Sequence, residues 1–544
     1  MSRTTDNLGH GFAVALMGLI LTGPALAFDV TELEKITAAI PDAGAHYGSA
    51  IAMDNDVLVI GAKDDDEGGS EGGAAYVYRL VDGHWAQEIK LISSDTIDFA
   101  GFGTSVAIDD DVIAIGSPRQ NEFVEGQGTI VHIGAVYVFR FDGQDWIEEA
   151  RLITSDFFRF DELGKSVAID GNRIISGAHQ EGTACDDHPD PLVRENCRSG
   201  AAYVFEFDGE SWTETAKIVP SDASTQNLFG AAIDLQGDVA VIGSWGAGNG
   251  SEGCPPDCGG DGIGAVYVYR FDGLEWIEEQ IIVPPGGGEP FDYLGKNVAI
   301  DGDRTIAGAE GDAEIEVGGG AAFVYRFDAK SPDPWVLEQK LQSSDLVFVD
   351  HLGSSVSLDG DIAVLGSDFN DSGEITSSGA AYIFTYDGNE WTEQVKLVPS
   401  DPEAWALFGF DVELLNGELV VCGIASDEDD GAAVNAGSAY VFRGVTDCNE
   451  NGTLDLIDID QGDSPDDDNN GIPDECEVAF PCTDCPTDVD GDGTTGAFDL
   501  ANLLGNWGTC DDTDPCSCLD GDQDGLIGAS DLAQLLGNWG PCPG

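Results

Sequence analysis

The sequence predicts an all-β fold: a seven-bladed β-propeller followed by a small calcium-binding tail with two EF-hand-like loop–helix repeats. Two glycine landmarks each recur seven times, at a spacing of about 60 residues, over most of the chain. Short runs of alternating apolar and polar residues lie between them. Roughly the last 100 residues instead carry acidic loops with the spacing of calcium ligands.

The N-terminus is typical of a cleaved signal peptide. Arg3 precedes an apolar run from Phe12 to Leu21, and Ala25-Leu26-Ala27 offers the small residues of a cleavage site. The run is too short to span a bilayer, and no later stretch is apolar enough to do so. We therefore expect residues 1–27 to be removed and the mature protein to be secreted, extracellular or cell-surface associated, without a membrane span. A retained anchor is the less favoured alternative.

Two glycines that recur in step define the repeats. The first follows an aromatic residue or leucine, as in FGTSVAID, and the second opens text such as GAVYVFR. The first landmark comprises Gly48, Gly103, Gly164, Gly230, Gly295, Gly353 and Gly409. The second comprises Gly73, Gly134, Gly200, Gly264, Gly320, Gly379 and Gly437. Because two independent landmarks give the same count, chance is excluded and seven structural units are expected.

Each unit contains four strand signals. VAID-like and VIAIG-like runs flank an Asp/Gly/Asn turn, AYVYR-like text follows, and an Asp-Gly turn leads into a strand of WxExxKL type. That fourth strand carries Trp85, Trp146, Trp212, Trp276, Trp335 and Trp391. Four short antiparallel strands repeated radially form a propeller blade. The turns of a β-solenoid, the competing architecture, are only about 20–30 residues long. We therefore expect residues 28–444 to form the propeller.

The phase of the repeats predicts how the ring closes. The seventh unit ends at Gly444 without a tryptophan strand, while LEKITAAIPDAGAHYG near the N-terminus aligns with the end of a unit. Residues around Leu33 to Ile40 are thus expected to supply the outer strand of the last blade. Closure of this kind removes the free sheet edges through which β-proteins aggregate.

The connections between second and third strands (2–3) vary most in length, and they share one face with the connections between blades (4–1). Variable loops on a rigid scaffold often carry recognition, although neutral drift explains them equally well. The FG…GAAYVY pattern resembles FG-GAP repeats, the units of the integrin α-subunit propeller, from about Phe28 to Gly444. The resemblance implies seven blades and binding or adhesion outside the cell. Tight 1–2 turns such as AIDGNRII leave no room for that family's calcium loop, so no calcium site is expected in the blades.

Two loops in the tail have the ligand spacing of a calcium site, with oxygens at alternate positions and glycine at the sharp turn. The ligands expected in DVDGDGTTGAFD are Asp488, Asp490, Asp492, the Thr494 carbonyl and Asp499. Those expected in DGDQDGLIGASD are Asp520, Asp522, Asp524, the Leu526 carbonyl and Asp531. Each loop precedes a helix signal, DLANLLGNWG or DLAQLLGNWG, with apolar residues at i, i+3, i+4 and i+7. Ca²⁺ is therefore the expected cofactor.

A calcium loop followed by one helix, in two copies, resembles the type I dockerin module, here residues 481–544. The resemblance implies docking to a cohesin domain. Loop positions 10 and 11, which serve recognition in that family, are Ala497-Phe498 and Ala529-Ser530, and the helices have no basic residue. The fold is therefore expected, with a cohesin-like protein as one alternative partner. We expect the apolar helix faces to pack on each other rather than on a partner.

An Asp/Asn-rich segment at residues 445–480 joins the propeller to this module, and two further loops fit calcium there. In DCNENGTLDLID the expected ligands are Asp447, Asn449, Asn451, the Thr453 carbonyl, Asp455 and Asp458. In DDDNNGIPDECE they are Asp466, Asp468, Asn470, the Ile472 carbonyl, Asp474 and Glu477. The segment looks similar to thrombospondin type 3 repeats, in which calcium and disulfides replace a hydrophobic core. A solvated acidic linker is the alternative.

Thirteen cysteines in an exported chain predict disulfides. Loop position and repeat phase favour the pairs Cys185–Cys197, Cys254–Cys258, Cys448–Cys476, Cys485–Cys510, Cys518–Cys542 and Cys482–Cys516. The CxxC at Cys482 and Cys485 is typical of half a zinc site, but no second ligand pair follows at suitable spacing. Cys422 is expected to be a buried free thiol.

The charge of the chain and its motifs limit the classes of function that we expect. A formal net charge of −80, from 102 acidic and 22 basic residues, disfavours nucleic acid and anionic membranes as partners, although solubility at high salt alone explains such acidity. No Lys or Arg follows Arg443, so bound cations must neutralise the carboxylates of the tail. Catalytic motifs are absent and the histidines share no pattern, so no catalytic residue is predicted. A structural turn role is expected for Asp109, Asp170, Asp301 and Asp359.

Two functions follow from these patterns. The first is a secreted, non-enzymatic binding, adhesion or assembly protein, whose loop face binds an extracellular protein or glycan and whose calcium-dependent tail docks it. The second is a carbohydrate-active protein, a lectin or a polysaccharide hydrolase, delivered by its tail. The lack of catalytic motifs favours the first, although residues far apart in sequence can build an active site in a propeller channel.

Overall fold

The computed structural model describes residues 31–40, 42–81, 83–182, 197–248, 262–314, 317–371, 375–415, 418–423 and 435–443, with isolated positions that include 453–454 and four residue pairs in the tail. The predicted signal peptide, the predicted tail helices and most of the expected calcium ligands lie outside these residues. Across the part of the chain that is described, no helix is long and apolar enough to cross a membrane.

Seven four-stranded antiparallel sheets form the body of the structure. Their innermost strands contact one another around a closed circuit, so the sheets are arranged radially as the blades of a propeller. The predicted all-β propeller is confirmed. The described residues contain almost no helix; the 3₁₀ turn Pro285–Gly287 follows the outer strand of the fourth blade.

From the axis outward, the strands of a blade are called inner, second, third and outer. The inner strands are Tyr47–Asp54, Ser105–Asp109, Leu163–Asp170, Ala232–Gln236, Val298–Asp301, Val356–Asp359 and Asp411–Leu415. The second strands are Val57–Ala62, Val112–Ser117, Arg173–Ala178, Val239–Ser244, Arg304–Ala309, Ile362–Ser367 and Glu418–Gly423. The third strands are Ala74–Val81, Ala135–Phe141, Ala201–Phe207, Ala265–Phe271, Ala321–Phe327, Ala380–Tyr386 and Ser438–Arg443. The outer strands of blades one to six are His84–Leu91, Trp146–Leu152, Trp212–Ile218, Trp276–Ile282, Trp335–Leu341 and Trp391–Leu397.

The 1–2 connections are tight, as the sequence predicts. In blades one to six only two residues separate the inner strand from the second, and a calcium loop of about 12 residues does not fit between them. A small extra hairpin, Glu122–Val124 with Gly128–Ile130, decorates the 2–3 connection of blade two.

The two glycine landmarks lie where neighbouring blades touch. Gly73 forms a parallel bridge with Phe102 of the next blade, and Gly134 forms the same bridge with Leu163. A Cβ atom on Gly73, whose φ is +87°, would lie 2.0 Å from the Phe102 carbonyl oxygen. Only glycine tolerates both the positive φ and this backbone contact. The most regular feature of the sequence therefore marks the contacts that hold the ring together.

The apolar core lies between blades rather than within them. One buried cluster joins Val59 and Val77 of blade one to Phe102 and Ile115 of blade two, and each further cluster spans the next pair of blades. Since a blade buries its apolar face only against its neighbours, every interface contributes to one continuous ring of hydrophobic burial.

The N-terminal segment closes the ring. Thr31–Ile36 is the outer strand of blade seven and pairs antiparallel with Ser438–Arg443. Ile36 lies opposite Ala439, as Leu397 lies opposite Ala381 in blade six. The predicted donor strand is therefore confirmed, but it begins and ends earlier than Leu33 to Ile40. This ladder register fixes Ile36 as the last paired residue, so the residues after it form the link to blade one.

Leu454, beyond the last propeller strand, also belongs to the core. It is fully buried (0% exposed) in the cluster between blades six and seven, together with Val364, Leu414 and Phe442. The equivalent cluster between blades two and three contains Trp212, from an outer strand. Leu454 thus supplies apolar volume at an interface whose outer strand, Thr31–Ile36, has no tryptophan.

Four two-residue strands are described in the tail. Thr494–Thr495 pairs with Gly540–Pro541, and Gly508–Thr509 pairs with Leu526–Ile527. In both ladders, residues of one predicted calcium loop pair with the last residue of the other copy's helix signal and the residue after it. The two copies are therefore joined reciprocally.

Candidate ligand-binding face and channel mouth

The 2–3 and 4–1 connections lie on one face, because the strands within each blade are antiparallel. Backbone hydrogen bonds fix each 4–1 loop to the 2–3 loop of the preceding blade. The Phe99 amide donates to the Ser70 carbonyl at 2.8 Å, and the Trp405 amide donates to the Thr376 carbonyl at 3.0 Å. This loop face is therefore a connected surface rather than a set of separate loops.

In three of the 4–1 loops, an aspartate side chain accepts a hydrogen bond from a backbone amide of the same loop. Asp292 accepts a hydrogen bond from the Glu289 amide at 2.7 Å, and Asp350 accepts one from the Val347 amide at 2.8 Å. Asp161 has the same role in blade three, and burial raises its pKa to about 8. Burial also raises the pKa of Asp292 and of Asp350. These carboxyl groups stabilise the loops that form the face.

Four aromatic side chains project from equivalent positions of these loops. Phe99 is 48% exposed, Phe160 44%, Phe291 62% and Trp405 57%. Their φ angles are 66°, 68°, 75° and 65°, in the left-handed region. Bulky side chains are rare there, because the Cβ atom approaches the following carbonyl. We call these four residues the aromatic rim.

The fold does not require aromatic residues at the rim positions. Blade one has Gly44 at the same place, with φ of +79°, and blade four has Gln226, with φ of 67°. The pairing between loops therefore imposes the left-handed conformation, whereas the choice of a large exposed ring is independent of it. Strained residues that are also exposed and apolar are candidates for ligand contact.

The inner strands surround a central channel that contains a cavity of about 660 Å³. The end that opens on the loop face is lined by Lys63, Lys165, Lys296, Glu310 and Asp368. The opposite end is lined by Gln236, Asp301 and Asp359. The channel therefore joins a mouth of mixed charge to an acidic end.

Three cations converge at the loop-face end, and we call them the cationic mouth. Lys63 follows the second strand of blade one, Arg119 follows that of blade two, and Lys165 begins the inner strand of blade three. Among the residues that the structure describes, none of these three side chains has a hydrogen-bond or ion-pair partner.

The electrostatics of the cationic mouth reflect this crowding. Burial, followed by the positive charges of Lys63 and Lys296, lowers the pKa of Lys165 to about 8. Burial and the charge of Lys165 lower the pKa of His179 to about 3, so this imidazole is neutral near pH 7. Its Nδ1 is buried without a hydrogen-bond partner. The mouth is a local excess of positive charge in a chain of net charge −80.

The facing wall offers acceptors. Lys296 Nζ lies 3.0 Å from Glu310 Oε1 and 5.2 Å from the centre of the Trp245 ring. Asp368 Oδ1 is buried without a hydrogen-bond partner, and His351 Nδ1 lies 3.7 Å from it. Among the described residues, the mouth thus has unpaired cations on one side and, on the other, the Asp368 carboxylate, which lies within ion-pair distance of His351 but accepts no hydrogen bond at Oδ1.

Sequence reasoning missed the cationic mouth. The available signal was positional: GAK in blade one, and LGK in blades three and five, place lysine where the remaining units have neutral or acidic residues. These positions meet only after the ring has closed.

The recurrent aspartates lie at the opposite end of the channel. Asp170 Oδ2 accepts a hydrogen bond from the Gly237 amide at 2.6 Å, and Asp301 Oδ2 accepts one from the Gly360 amide at 2.7 Å. Each carboxylate therefore stabilises the turn of the next blade rather than its own. Carboxylate oxygens of Asp54, Asp109 and Asp110 also lie within 4.8 Å of one another, and the Asp110 amide donates to Asp54. This hydrogen bond between neighbouring turns explains why the three carboxylates lie close together.

Comparison with known families decides what the repeats are. The sequence pattern described as the FG-GAP repeat matches seven segments that together cover well over half of the chain, residues 30–78, 85–139, 146–205, 212–269, 276–325, 335–384 and 391–442. The chain belongs to the FG-GAP repeat family. Each matched FG-GAP unit spans an outer strand and the first three strands of the following blade. The family's repeat is therefore offset from the blade by one strand, which is why the first unit begins with the closing strand.

Other similarities to this FG-GAP protein are distant. No curated protein matches its sequence. A chain in the crystal structure of the mitotic checkpoint complex is similar over 81% of this chain and 98% of that chain, with 10% sequence identity and a TM-score of 0.45. At this TM-score the likeness supports no conclusion about function.

The tail that follows the FG-GAP repeats is described at few positions. Of the predicted calcium ligands, Thr453, Thr494 and Leu526 are described, and the others lie outside the described residues. The calcium sites therefore stay a prediction. Cys197 is disulfide-bonded, while its predicted partner Cys185 and the side chain of Cys422 lie outside the described part.

Proposed function

We propose that this FG-GAP protein is exported and acts as an extracellular binding or adhesion protein. The loop face of the propeller is the recognition surface, and the tail is a calcium-dependent docking module. The FG-GAP propeller architecture, the signal-peptide pattern at residues 1–27 and the thirteen cysteines, of which Cys197 is disulfide-bonded, support this function.

The aromatic rim is the observation that carries the proposal. Its four rings are exposed to water, and the four residues have backbone φ angles that favour glycine. Both the exposure and the backbone conformation are unfavourable for the free protein. Their positions repeat around one face, next to a channel mouth with unpaired charges. A ligand that covers the rings would recover the lost burial, as aromatic residues do at binding surfaces.

Calcium binding by the tail rests on ligand spacing. Two complete DxDxDG loops lie beyond the last basic residue of the chain, so their carboxylates lack any intramolecular counter-charge from that part of the sequence. The free energy of metal binding would then contribute to folding of the tail. Titration of calcium into the full chain by calorimetry, with Asp488→Ala and Asp520→Ala as variants, measures this contribution.

Substitution of rim residues by glycine tests the loop face. Glycine suits their φ angles, so Phe99→Gly, Phe291→Gly and Trp405→Gly together should keep the fold intact. Leu274→Gly is the matched control, because Leu274 is 91% exposed in a turn on the opposite face. Binding to an array of neutral and acidic polysaccharides and to intact cells should be lost in the triple variant and unchanged in the control.

The same preparations should release no reducing ends from the polysaccharides that they bind. Equal binding by the triple variant and by the wild type would exclude the loop face as the recognition surface. Release of reducing ends would favour the polysaccharide hydrolase instead.

A further inference from the structure

Cations are scarce in this protein, and most of them are already paired. The chain has 22 Lys and Arg residues against 102 Asp and Glu. Ion pairs engage, among others, Lys35, Arg79, Lys90, Arg140, Arg151, Arg173, Lys217, Arg270, Lys296, Arg304, Arg326, Lys340 and Lys396. Lys63, Arg119 and Lys165 stand apart, because within the described part of the chain they lack such partners despite the excess of carboxylates.

Keeping three like charges together is unfavourable for the empty protein. Lys165 lies partly shielded in the channel, where Lys63, Lys296 and Arg119 repel its ammonium group. Glu162 attracts it but does not offset burial and this repulsion, since the pKa of Lys165 is lowered overall. Uncompensated charge of this kind opposes folding unless an opposite charge joins it. Residues that stabilise a bound ligand at a cost to the free protein are typical of binding sites. The missing partner is therefore an anion.

The rest of the site narrows the class of anion. Asp368 Oδ1, on the facing wall, accepts no hydrogen bond from the described residues, although His351 Nδ1 lies 3.7 Å from it. A hydroxyl group supplies a hydrogen-bond donor, whereas an aspartate or glutamate side chain at neutral pH does not. The aromatic rim adds flat apolar surfaces on the face of the propeller where the mouth opens. A ligand with one acidic group, several hydroxyl groups and apolar ring faces satisfies all three features.

We propose that the cationic mouth binds the carboxylate or sulfate group of an acidic polysaccharide, with a sugar hydroxyl donating to Asp368 and neighbouring sugar rings covering the aromatic rim. This assignment rests on the proposed function of the loop face and names its ligand. Because the chain carries net charge −80, long polyanions are repelled except at the mouth, so recognition favours a chain end or a short acidic oligosaccharide.

Binding of oligogalacturonate to the full-length protein tests the proposal, with neutral galactose oligomers and poly-glutamate as comparison ligands. Calorimetry should detect binding of oligogalacturonate and of neither comparison ligand. Lys165→Met should weaken its binding roughly 10- to 100-fold, as loss of a charge-assisted hydrogen bond does. Lys330→Met is the control, since Lys330 is exposed in a turn on the opposite face. Binding should also weaken above pH 8, where Lys165 loses its proton.

Other titratable groups at the mouth can be separated from Lys165. The charged or titratable groups around Lys165 and Asp368 are Lys63, Arg119, Glu162, His179, Lys296, Glu310 and His351. Burial lowers the pKa of His351, but Asp368 and Glu310 together raise it more, so any effect of His351 titration on binding should persist in Lys165→Met. His179, with its pKa of about 3, stays neutral across the range, and Arg119 stays charged. A loss of binding near pH 8 that disappears in Lys165→Met therefore reports on Lys165.

The melting temperature of the free protein separates a ligand-binding role from a structural one. Lys165→Met should raise it at pH 7, because the variant removes an unpaired, partly buried charge. A lower melting temperature would indicate that Lys165 supports the fold, and the proposal would be wrong. Poly-glutamate binding that depends on Lys165 would show that a sugar is not required of the ligand. Equal binding of neutral galactose oligomers would show that an acidic group is not required. If the rim variants abolish binding while Lys165→Met does not, the proposed function stands and this inference fails.

Discussion

Single residues that reach across an interface hold adjacent blades together. Arg304 begins a second strand in blade five, and its guanidinium forms ion pairs with Glu338 and with Asp361. It also lies over two rings of blade six, 4.4 Å from the centre of Tyr386 and 5.4 Å from that of Trp391. Arginine suits this position because its planar group combines two carboxylate contacts with stacking.

Replacing Arg304 should therefore cost more than replacing an exposed arginine. Arg304→Met removes one ion-pair partner from Glu338 and one from Asp361 at a side chain that is only 9% exposed, so we expect a loss of about 2–3 kcal/mol in the free energy of unfolding. Arg326→Met, at a side chain that is 47% exposed, should cost less than about 1 kcal/mol. Urea unfolding measures both. Similar losses in the two variants would contradict the interface role.

At the scale of elements, blade seven differs from the others in how its outer edge is completed. Thr31 pairs with Arg443 as Thr392 pairs with Thr385 in blade six, so the residue that precedes Thr31 occupies the sequence position of Trp391. That residue is Val30. The interface thus lacks a tryptophan, and Leu454, which follows the last strand, is buried there.

Truncation of Leu454 should consequently destabilise the propeller itself. Leu454→Ala removes a fully buried side chain, which costs about 2–5 kcal/mol in packed cores. Leu274→Ala, at a side chain that is 91% exposed, is the control and should change stability little. Thermal unfolding followed by the near-ultraviolet signal of the blade tryptophans measures the difference. An unchanged melt for Leu454→Ala would show that the segment after Arg443 folds independently of the blades.

At the scale of the whole molecule, buried carboxyl groups make stability depend on pH. Burial raises the pKa of Asp411 to about 7 and that of Asp161 to about 8. Burial also raises the pKa of Glu413 well above its usual range, with a further contribution from the charge of Asp411. These groups bind protons more tightly in the folded protein than in the unfolded chain, where their pKa is about 4. Stability therefore falls as pH rises from about 4 to about 8.

We expect the melting temperature to be higher at pH 5.5 than at pH 8 by several degrees. Asp411→Asn with Glu413→Gln should raise it at pH 8 and reduce the slope, because the amides stay neutral. Glu125→Gln, in an exposed turn, removes one negative charge without removing a buried one and controls for net charge. A slope that is the same in the double variant and the control would attribute the pH dependence to overall repulsion instead.

Local patterns in the sequence predict the blades and the way in which the ring closes. The landmark glycines, the alternation of apolar residues and the tryptophan strands are local features that each unit repeats, because every blade must meet the same backbone contacts, such as the one between Gly73 and Phe102. The missing tryptophan strand after Gly444 then predicted closure by the N-terminal segment, and Thr31–Ile36 occupies that place.

The contacts at the two ends of the channel and between blades six and seven become visible only in the folded ring. Lys63, Arg119 and Lys165 come from three blades and have no common spacing, and ring closure alone brings them to one mouth. The sequence predicts a turn role for the aspartates that end the inner strands, and the ring directs Asp170 and Asp301 to the turn of the next blade. The burial of Leu454 likewise depends on a gap between two blades. Local patterns repeat with the chain, but contacts across the ring depend on its closure.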